Sequence, residues 1–177
     1  MKNSIFSITF LLITFISFGS LAQEVNEELE KRNGFKDIKL MSDVEAYEGL
    51  VLKKTEEDQI TKEITKEVEL FAAKKGFYQS IGSIKVQDLE VKAYKKLVYE
   101  IKVITPKNPK LYQGLKKIYG KPKFSGVEKY VWRSTNLQLT FRSLEDNKLE
   151  LVYTTFLIAD TLSQEDEKEI EDIANDF

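Results

Sequence analysis

The sequence predicts an α+β fold, an antiparallel sheet with one face covered by two or three helices. Segments with alternating apolar and polar residues indicate strands, and short turns separate several of them closely enough for antiparallel pairing. One segment between them carries both helix start and stop signals, and an amphipathic segment follows at the carboxyl end. Strands and helices arranged in this way favour the α+β class.

Residues 1–22 are predicted to be a cleavable secretory signal peptide. Lys2 supplies a positive charge, and an apolar stretch of 14 residues follows it (Ile5–Phe18). The small residues Ser20 and Ala22 occupy the positions that a signal peptidase reads. A membrane-spanning helix needs roughly 20 residues, so an uncleaved anchor is the less favoured alternative. The remaining sequence contains no second apolar stretch of that length, which predicts a soluble mature chain without a transmembrane segment.

The chain contains no cysteine, so no disulfide can form. A lipoprotein needs a cysteine directly after its cleavage site, where Gln23 stands instead. The protein is therefore predicted to be periplasmic or secreted and not a lipoprotein. The 155 residues after the signal peptide suffice for one domain that buries about 68–70% of its unfolded surface.

Charge and histidine content exclude several function classes. Without the signal peptide the chain has 26 basic and 29 acidic residues, a net charge of −3, which does not fit a nucleic-acid binder. The absence of histidine removes the commonest general base and the commonest metal ligand. Without cysteine as well, Ser-His-Asp and Cys-His catalysis and conventional zinc sites are excluded.

The amino-terminal part of the mature chain is predicted to begin with a polar tether, or a frayed helical turn, over residues 23–33. A single domain over residues 34–177 follows, beginning with a strand over residues 34–40. Ser42 and Glu45 fit a capping box for a short helix that Gly49 ends. The inward residues of this helix are expected to be Val44 and Tyr47.

A second strand is expected from Val51 and Leu52, followed by a solvated loop over Lys53–Lys66. The next two strands, residues 84–93 and 97–104, are predicted to form a hairpin with a three-residue loop. This register places three apolar pairs on one face: Ala93 with Leu97, Val91 with Tyr99, and Leu89 with Ile101. A two-residue loop at Lys95-Lys96 would set charged residues against apolar ones. The phase change before Leu89 predicts a bulge near Gln87-Asp88.

The strongest helix prediction lies between Asn108 and Gly120. Asn108 is a good N-cap, Pro109 suits the first helical position, and Gly120 with Pro122 beyond it ends the helix. The predicted buried stripe consists of Leu111, Leu115, Ile118 and Tyr119.

Three strands and a final helix complete the chain. Residues 130–133 are predicted to pair with residues 138–141, with Trp132 opposite Leu139 and Tyr130 opposite Phe141. A loop at residues 145–147, with Asn147 at positive φ, sets up the next pairs: Phe141 with Leu151, Leu139 with Tyr153, and Arg142 with Glu150. Ser163 is expected to cap the last helix, whose acidic first turn suits the positive helix end. Its predicted docking residues are Ile170, Ile173, Ala174 and Phe177.

Few residues suggest chemistry. The predicted hairpin sets Glu90 opposite Glu100, and opposed carboxylates can divide acid and base roles in a hydrolase. The favoured interpretation is a charge checkerboard with Lys92 and Lys102, in which Asp88 faces Lys102. No catalytic, cofactor-binding or metal-ligating residue is assigned.

Three further features have two interpretations each. The acidic residues Glu56–Asp58 could bind calcium but lack the ligand spacing of an EF-hand, so a solvated loop is favoured. A local basic patch could meet an anionic partner such as lipid headgroups or polysaccharide, although a solvated helix face is favoured: Lys110, Lys116, Lys117, Lys121 and Lys123. Trp132 could stack on a sugar if exposed, but its register with Leu139 predicts a core position.

Four segments together carry a resemblance: RNGFKDIKL, LYQGLKKIYGKP, VWRSTNLQLTF and IEDIANDF. The chain resembles a group of small exported proteins of flavobacteria and their relatives, with no assigned function, which implies a Gram-negative envelope setting. In layout it is more distantly similar to the outer-membrane assembly lipoprotein BamE and to the β-lactamase inhibitor protein fold, through LMSDVEAYEGL and the helix ending YGKP. Such a likeness of layout says little about function.

The function that these features favour is a non-catalytic exported binding module with a protein or envelope partner. One alternative is a carrier of a small molecule or lipid in a pocket between helices and sheet. The other is a carboxylate hydrolase that uses Glu90 and Glu100. No cofactor is expected.

Overall fold

The computed structural model describes residues 26–55 and 68–176. The predicted signal peptide, the Glu56–Asp58 cluster and Phe177 lie outside these residues. Within them, the helices are α1 (Glu27–Arg32), α2 (Pro109–Tyr119) and α3 (Phe156–Asn175), with a 3-10 helix at Val44–Ala46. The strands are β1 (Gly34–Phe35), β2 (Ile38–Lys39), β3 (Leu50–Thr55), β4 (Val68–Ala73), β5 (Ser80–Ile81), β6 (Ile84–Lys85), β7 (Asp88–Tyr94), β8 (Leu97–Pro106), β9 (Phe124–Ser125), β10 (Lys129–Arg133), β11 (Leu137–Leu144) and β12 (Lys148–Thr155).

Eight of these strands form one antiparallel sheet in the order β3-β4-β7-β8-β12-β11-β10-β9. The pairs β1–β2 and β5–β6 are separate small hairpins. The prediction of an α+β fold built on an antiparallel sheet is confirmed.

The carboxyl-terminal strands have the predicted register. Trp132 lies opposite Leu139 and Tyr130 opposite Phe141, and Trp132 is buried. The β11–β12 pairs also match, including Arg142 with Glu150. Asn147 has a positive φ of 59°, as expected, and Asp146 shares this conformation at 56°.

The β7–β8 hairpin has a different register from the prediction. Its loop has two residues, Lys95 and Lys96, both with positive φ, which is the turn whose twist matches that of the strands. A bulge at Tyr99 then shifts the pairing by one residue, so that Val91 lies opposite Ile101. Leu89, Val91, Ala93 and Ile101 are buried as predicted. The prediction is wrong for Leu97, which is 37% exposed, and for Tyr99, which packs beside Tyr94 outside the main core. Val98, which was not predicted to face inward, is buried in the main core.

The segment before this hairpin contains no bulge at Gln87-Asp88. Ile84 pairs with Ile81 in the β5–β6 hairpin, outside the large sheet. The main-chain N–H of Gln87 donates to the Ile104 carbonyl (2.8 Å), and β7 begins at Asp88. The apolar phase changes because the chain passes from one sheet to another.

The segment predicted as one strand over residues 34–40 is a tight hairpin. Lys36 has a positive φ of 54°, which reverses the chain so that Phe35 lies opposite Ile38. Gly34 has a φ of 139° and sits directly against the Ile38 carbonyl, where a side chain would collide.

The capping prediction that follows is also wrong in its residue. Asp43 caps the short 3-10 helix, and its carboxylate accepts a hydrogen bond from the Glu45 N–H (2.9 Å). Ser42 instead donates to the Lys39 carbonyl (2.6 Å) and bonds the Tyr47 hydroxyl (2.7 Å). A three-residue helix has no further turn for a capping box to serve. Val44 is buried as predicted.

Residues 26–33 are more ordered than a polar tether. Asn26 caps α1 through its side chain, which accepts from the Leu29 N–H (3.0 Å) and donates to the Tyr119 carbonyl (2.8 Å). Leu29 is fully buried in the main core. The burial of Leu29 and the hydrogen bond from Asn26 to Tyr119 together fix this charged segment on the rest of the domain.

Helix α2 has the predicted limits, with Asn108 accepting from the Lys110 N–H (3.0 Å) and Pro109 in the first turn. Leu111, Leu115 and Tyr119 are buried as expected. Ile118 is not: its side chain is 41% exposed.

Helix α3 differs most from the prediction. It begins at Phe156, immediately after β12, and Thr155 rather than Ser163 is its N-cap. The predicted docking residues Ile170, Ile173 and Ala174 are exposed. Ile158 docks the helix instead.

The buried residues form two clusters that identify two faces of the sheet. The large cluster includes Ala93, Leu139 and the buried residues of α2, and we call this side the core face. The small cluster joins Tyr94 with Ile158 of α3. Successive side chains in a strand point to opposite faces, so Tyr94 lies on the outer face, and α3 begins there.

Candidate functional site

Glu90 and Glu100, the candidate hydrolase pair, do not lie opposite each other. The bulge at Tyr99 places Glu90 opposite Lys102 and Lys92 opposite Glu100 on the outer face. Glu90 forms ion pairs with Lys102 and with Lys53 (3.1 Å), and Glu100 pairs with Lys92 (3.4 Å). The expected contact of Asp88 with Lys102 is replaced by pairing with Ile104.

These contacts determine the protonation of Glu90. Hydrogen bonding from Lys102 lowers its carboxyl pKa, partial burial opposes this, and Lys53 lowers it further. A carboxyl held ionised in this way suits an ion pair rather than a general acid. Beside it, Arg142 and Glu150 form the predicted cross-strand pair. This part of the outer face is therefore a charge checkerboard, with different partners from those predicted.

Trp132 belongs to the core and not to a sugar-binding surface. It is 1% exposed, and its indole N–H donates to the Gly120 carbonyl (2.9 Å), which fixes the end of α2 to β10. Tyr112 and Tyr119 of α2 lie beside its ring. Aromatic side chains of α2 and β10 thus pack against each other between this helix and the sheet.

Two concavities flank Tyr78. The larger, about 640 Å³, lies between the end of β4 and the segment before β7, and the smaller, about 440 Å³, lies next to Asp37. Burial and the neighbouring Asp37 carboxylate raise the pKa of Tyr78 to about 12. The rings of Phe77 and Tyr78 both pack against Gly49. A Cβ at that position would lie 2.7 Å from Phe77 and 2.6 Å from Tyr78, so only glycine allows this approach.

A different surface combines positive charge with exposed apolar side chains. It lies at the end of α2 and in the loop leading to β10, and we call it the lysine-rich surface: Lys116, Lys117, Ile118, Lys121, Lys123, Phe124, Val127 and Lys129. Residues 116–129 contain five lysines and one acidic residue, Glu128. The lysines are exposed and form no ion pair with any residue of the described chain.

The backbone of this surface is well fixed. Lys123 N–H donates to the Val131 carbonyl (2.8 Å), and Gly126 N–H donates to the Lys129 carbonyl (2.8 Å), which closes a turn. The Phe124 ring lies against Gly126, where a Cβ would be 3.1 Å from it. Phe124 is 55% exposed and Val127, at the turn, is fully exposed. A fixed loop therefore presents apolar groups among lysines that have no ion-pair partner in the described part of the chain.

Sequence reasoning found half of this surface. The predicted basic patch contains four of its five lysines, all but Lys129, and also includes Lys110, which lies outside it. Ile118 is predicted to be buried, and no prediction concerns Phe124 or Val127. The signal was present in the interleaving of lysines with Phe124 and Val127 beside Gly126.

The opposite charge is concentrated on α3. Near its middle, Glu165 accepts a hydrogen bond from the Tyr94 hydroxyl (2.7 Å) and pairs with Lys95 (3.5 Å). Burial, followed by the bond to Glu165, raises the pKa of Tyr94. Residues 165–176 contain seven acidic residues and one lysine. Past Glu165, the described side chains are all exposed.

Comparison with protein-family models, curated proteins and solved structures finds no match to the chain. Among residues 26–55 and 68–176, no helix is both long and apolar enough to cross a membrane. Within the same residues, no group of three or more acidic, histidine or cysteine side chains is placed to hold a metal ion.

Proposed function

We propose that the protein is a non-catalytic, exported binding module that holds an acidic, partly apolar protein partner on its lysine-rich surface. The observation that carries this proposal is the full exposure of Val127, beside the half-exposed Phe124, on a hydrogen-bonded loop among unpaired lysines. Exposed apolar patches rimmed by charge are characteristic of interaction sites.

The two parts of this surface have different tasks. Phe124, Val127 and Ile118 lose apolar surface to water when a partner covers them, which supplies affinity. The lysines around them attract an acidic partner and orient it. Because the loop is already fixed by hydrogen bonds, little ordering cost opposes binding.

The remainder of the fold serves as a scaffold in this proposal. Helices α1 and α2 cover the core face, supported by the burial of Leu29, Leu111 and Leu115 in the main cluster. The bond from Trp132 to Gly120 links this core to the start of the lysine-rich surface.

The proposed setting is the bacterial envelope, which the resemblance of four segments to small exported proteins implies. Cleavage after Ala22 would release the chain into the periplasm or the medium. Mass spectrometry of the protein from its native cells checks this, since an amino terminus at Gln23 is expected. An intact Met1 terminus would contradict it.

Site-specific photocrosslinking tests the binding proposal. A photoreactive amino acid at Val127 is expected to give a discrete protein adduct in native cells, and Lys121→Glu with Lys123→Glu should abolish it. The same amino acid at Asp146, in the exposed turn between β11 and β12, is the matched control. Equal labelling at both positions, or an adduct indifferent to the lysine changes, would overturn the proposal.

The concavities at Tyr78 keep the carrier as a second candidate. The larger one falls within the range of about 300–1,000 Å³ that ligand pockets occupy. Native mass spectrometry of the purified protein is expected to show a bound small molecule if this candidate is right. A bare chain, with no extractable ligand, would remove it.

A further inference from the structure

The second half of α3 is a helix without a partner. Ile170 and Ile173 lie three residues apart, which places them on one face, and they are 67% and 54% exposed. No hydrogen bond or ion pair joins the described side chains after Glu165 to the body. In proteins most of the stability of a helix comes from the packing of its apolar face, and this half of the 20-residue helix has no such packing within the described chain.

The surface that would cover the second half of α3 must be complementary to the residues of that helix. The helix half to be covered carries six acidic residues and one lysine over residues 166–176, with Ile170 and Ile173 between them. A complementary surface is therefore basic and partly apolar. The lysine-rich surface has this chemistry, with five lysines, one acid and three exposed apolar side chains.

The two surfaces of one molecule are too far apart to meet. α3 leaves β12 at the strand end where Thr155 pairs with Leu137, and it runs toward β7, where Glu165 bonds Tyr94. The turn with Val127 lies beyond the other end of β11, next to the pair of Lys129 with Arg142. β7, beside which Glu165 lies, is five strand positions from β9, roughly 24 Å for strands spaced about 4.8 Å.

We propose that the partner of the lysine-rich surface is the second half of α3 from another copy of this chain. Ile170 and Ile173 would contact Phe124, Val127 and Ile118, and the acidic residues would face the lysines. The contact joins two different surfaces, so it is head-to-tail. This inference rests on the proposed function, because it names the occupant of the same site.

Complementation between two variants tests the contact. The first variant carries Ile170→Gln and Ile173→Gln, which keep helix propensity but remove the apolar stripe. The second carries Lys121→Glu and Lys123→Glu with Phe124→Ser. The chain from Gln23 is expected to gain mass with concentration in sedimentation velocity, and each variant alone is expected to associate about tenfold or more weakly.

Mixing the variants gives the decisive result. Each retains one intact surface of a different kind, so an equimolar mixture is expected to form a heterodimer and nothing longer. Two exposed control sites, Leu157→Gln on α3 and Lys74→Glu with Lys75→Glu elsewhere, should leave association unchanged. A wild-type chain that stays monomeric, or a mixture that does, overturns the inference.

These outcomes are separable from those of the proposed function. If the chain does not self-associate but the Val127 probe still captures another protein in a lysine-dependent way, the binding module stands and the second copy is wrong. If the probe captures nothing lysine-dependent, the proposed function fails. An adduct of two chains that maps to α3 supports both.

Discussion

Helices α2 and α3 have similar amphipathic sequence patterns, but they differ in whether their apolar residues are buried. Both begin at a side-chain cap, Asn108 and Thr155, and both carry apolar residues at helical spacing. In α2 the stripe of Leu111, Leu115 and Tyr119 is buried on the core face. In α3 the first turn is docked through Ile158, and Glu165 near the middle accepts a hydrogen bond from the Tyr94 hydroxyl. Ile170 and Ile173, in the second half, are exposed.

The difference shows that an amphipathic sequence pattern predicts that one face of a helix will be covered, but it does not identify the surface that covers it. Residues of α2 meet their partner, the aromatic face around Trp132, within the same chain. The acidic second half of α3 packs against no surface of the described chain. We therefore interpret its apolar residues as a site of intermolecular contact. The following changes test this contrast.

Truncation of Trp132, which packs beside the docked helix α2, is expected to have the largest effect on stability. Trp132→Ala is expected to lower the free energy of unfolding by about 3–5 kcal/mol, because it empties a buried site and removes the hydrogen bond to Gly120. Urea denaturation measures this. Trp132→Phe, which keeps apolar packing, should recover a large part of the loss, and equal losses in both variants would contradict the packing account.

A matched pair of truncations sharpens the comparison directly. Leu115→Ala in α2 is expected to cost about 2–4 kcal/mol, since the side chain is buried. Ile173→Ala in α3 should change the stability of the monomer by less than about 0.5 kcal/mol, since its side chain is exposed. Thermal and urea unfolding at low protein concentration measure the loss of stability in each variant. Similar losses would mean that the second half of α3 packs against the rest of its own chain.

The cap of α2 is expected to have a smaller effect. Asn108→Ala leaves the Lys110 N–H without its acceptor and should cost about 1 kcal/mol. Asn108→Asp keeps an acceptor and serves as the control. If both variants unfold at the same urea concentration, the cap contributes nothing.

The outer face should contribute least. Glu90→Gln is expected to cost up to about 1 kcal/mol at neutral pH, because it removes ion pairs with Lys102 and Lys53. The folded pKa of Glu90 lies below its ordinary value of 4.5, so the contribution is present above that value and is lost as the pH falls through the folded pKa. Denaturation of both proteins between neutral and acidic pH should show the difference vanish, and a difference that persists in acid would contradict the ion-pair account.

The sequence was most informative where one local signal dominated. Asn108, Pro109 and Gly120 gave the limits of α2, and Trp132 with Leu139 gave the register of β10 and β11. In the β7–β8 hairpin, alternation identified Leu89, Val91, Ala93 and Ile101 as inward. It failed between the turn and the bulge at Tyr99, where Val98 rather than Leu97 is buried. Beyond the bulge, a two-residue turn with a bulge gives the same alternation as a three-residue loop. The pairing of Glu90 could not be predicted for that reason.

Other differences arose because tertiary contacts decided the outcome. Leu29 is a single apolar residue among charges, and its burial depends on the body it meets. Ile118 fits the helical period of α2, yet it lies on the side that the sheet does not reach. The lysine-rich surface could therefore be predicted only in part, because the exposure of a side chain depends on how the helices and the sheet pack together.

The sheet order has a consequence for how the chain folds. On one side of the β8–β12 pair, β3, β4, β7 and β8 follow one another, and on the other side β9 to β12 do the same. Forty-one residues separate β8 from β12, more than lie between any other paired strands of this sheet. Closing this interval is the most costly step in chain entropy. The molecule is expected to assemble as two meanders that join late along one central seam.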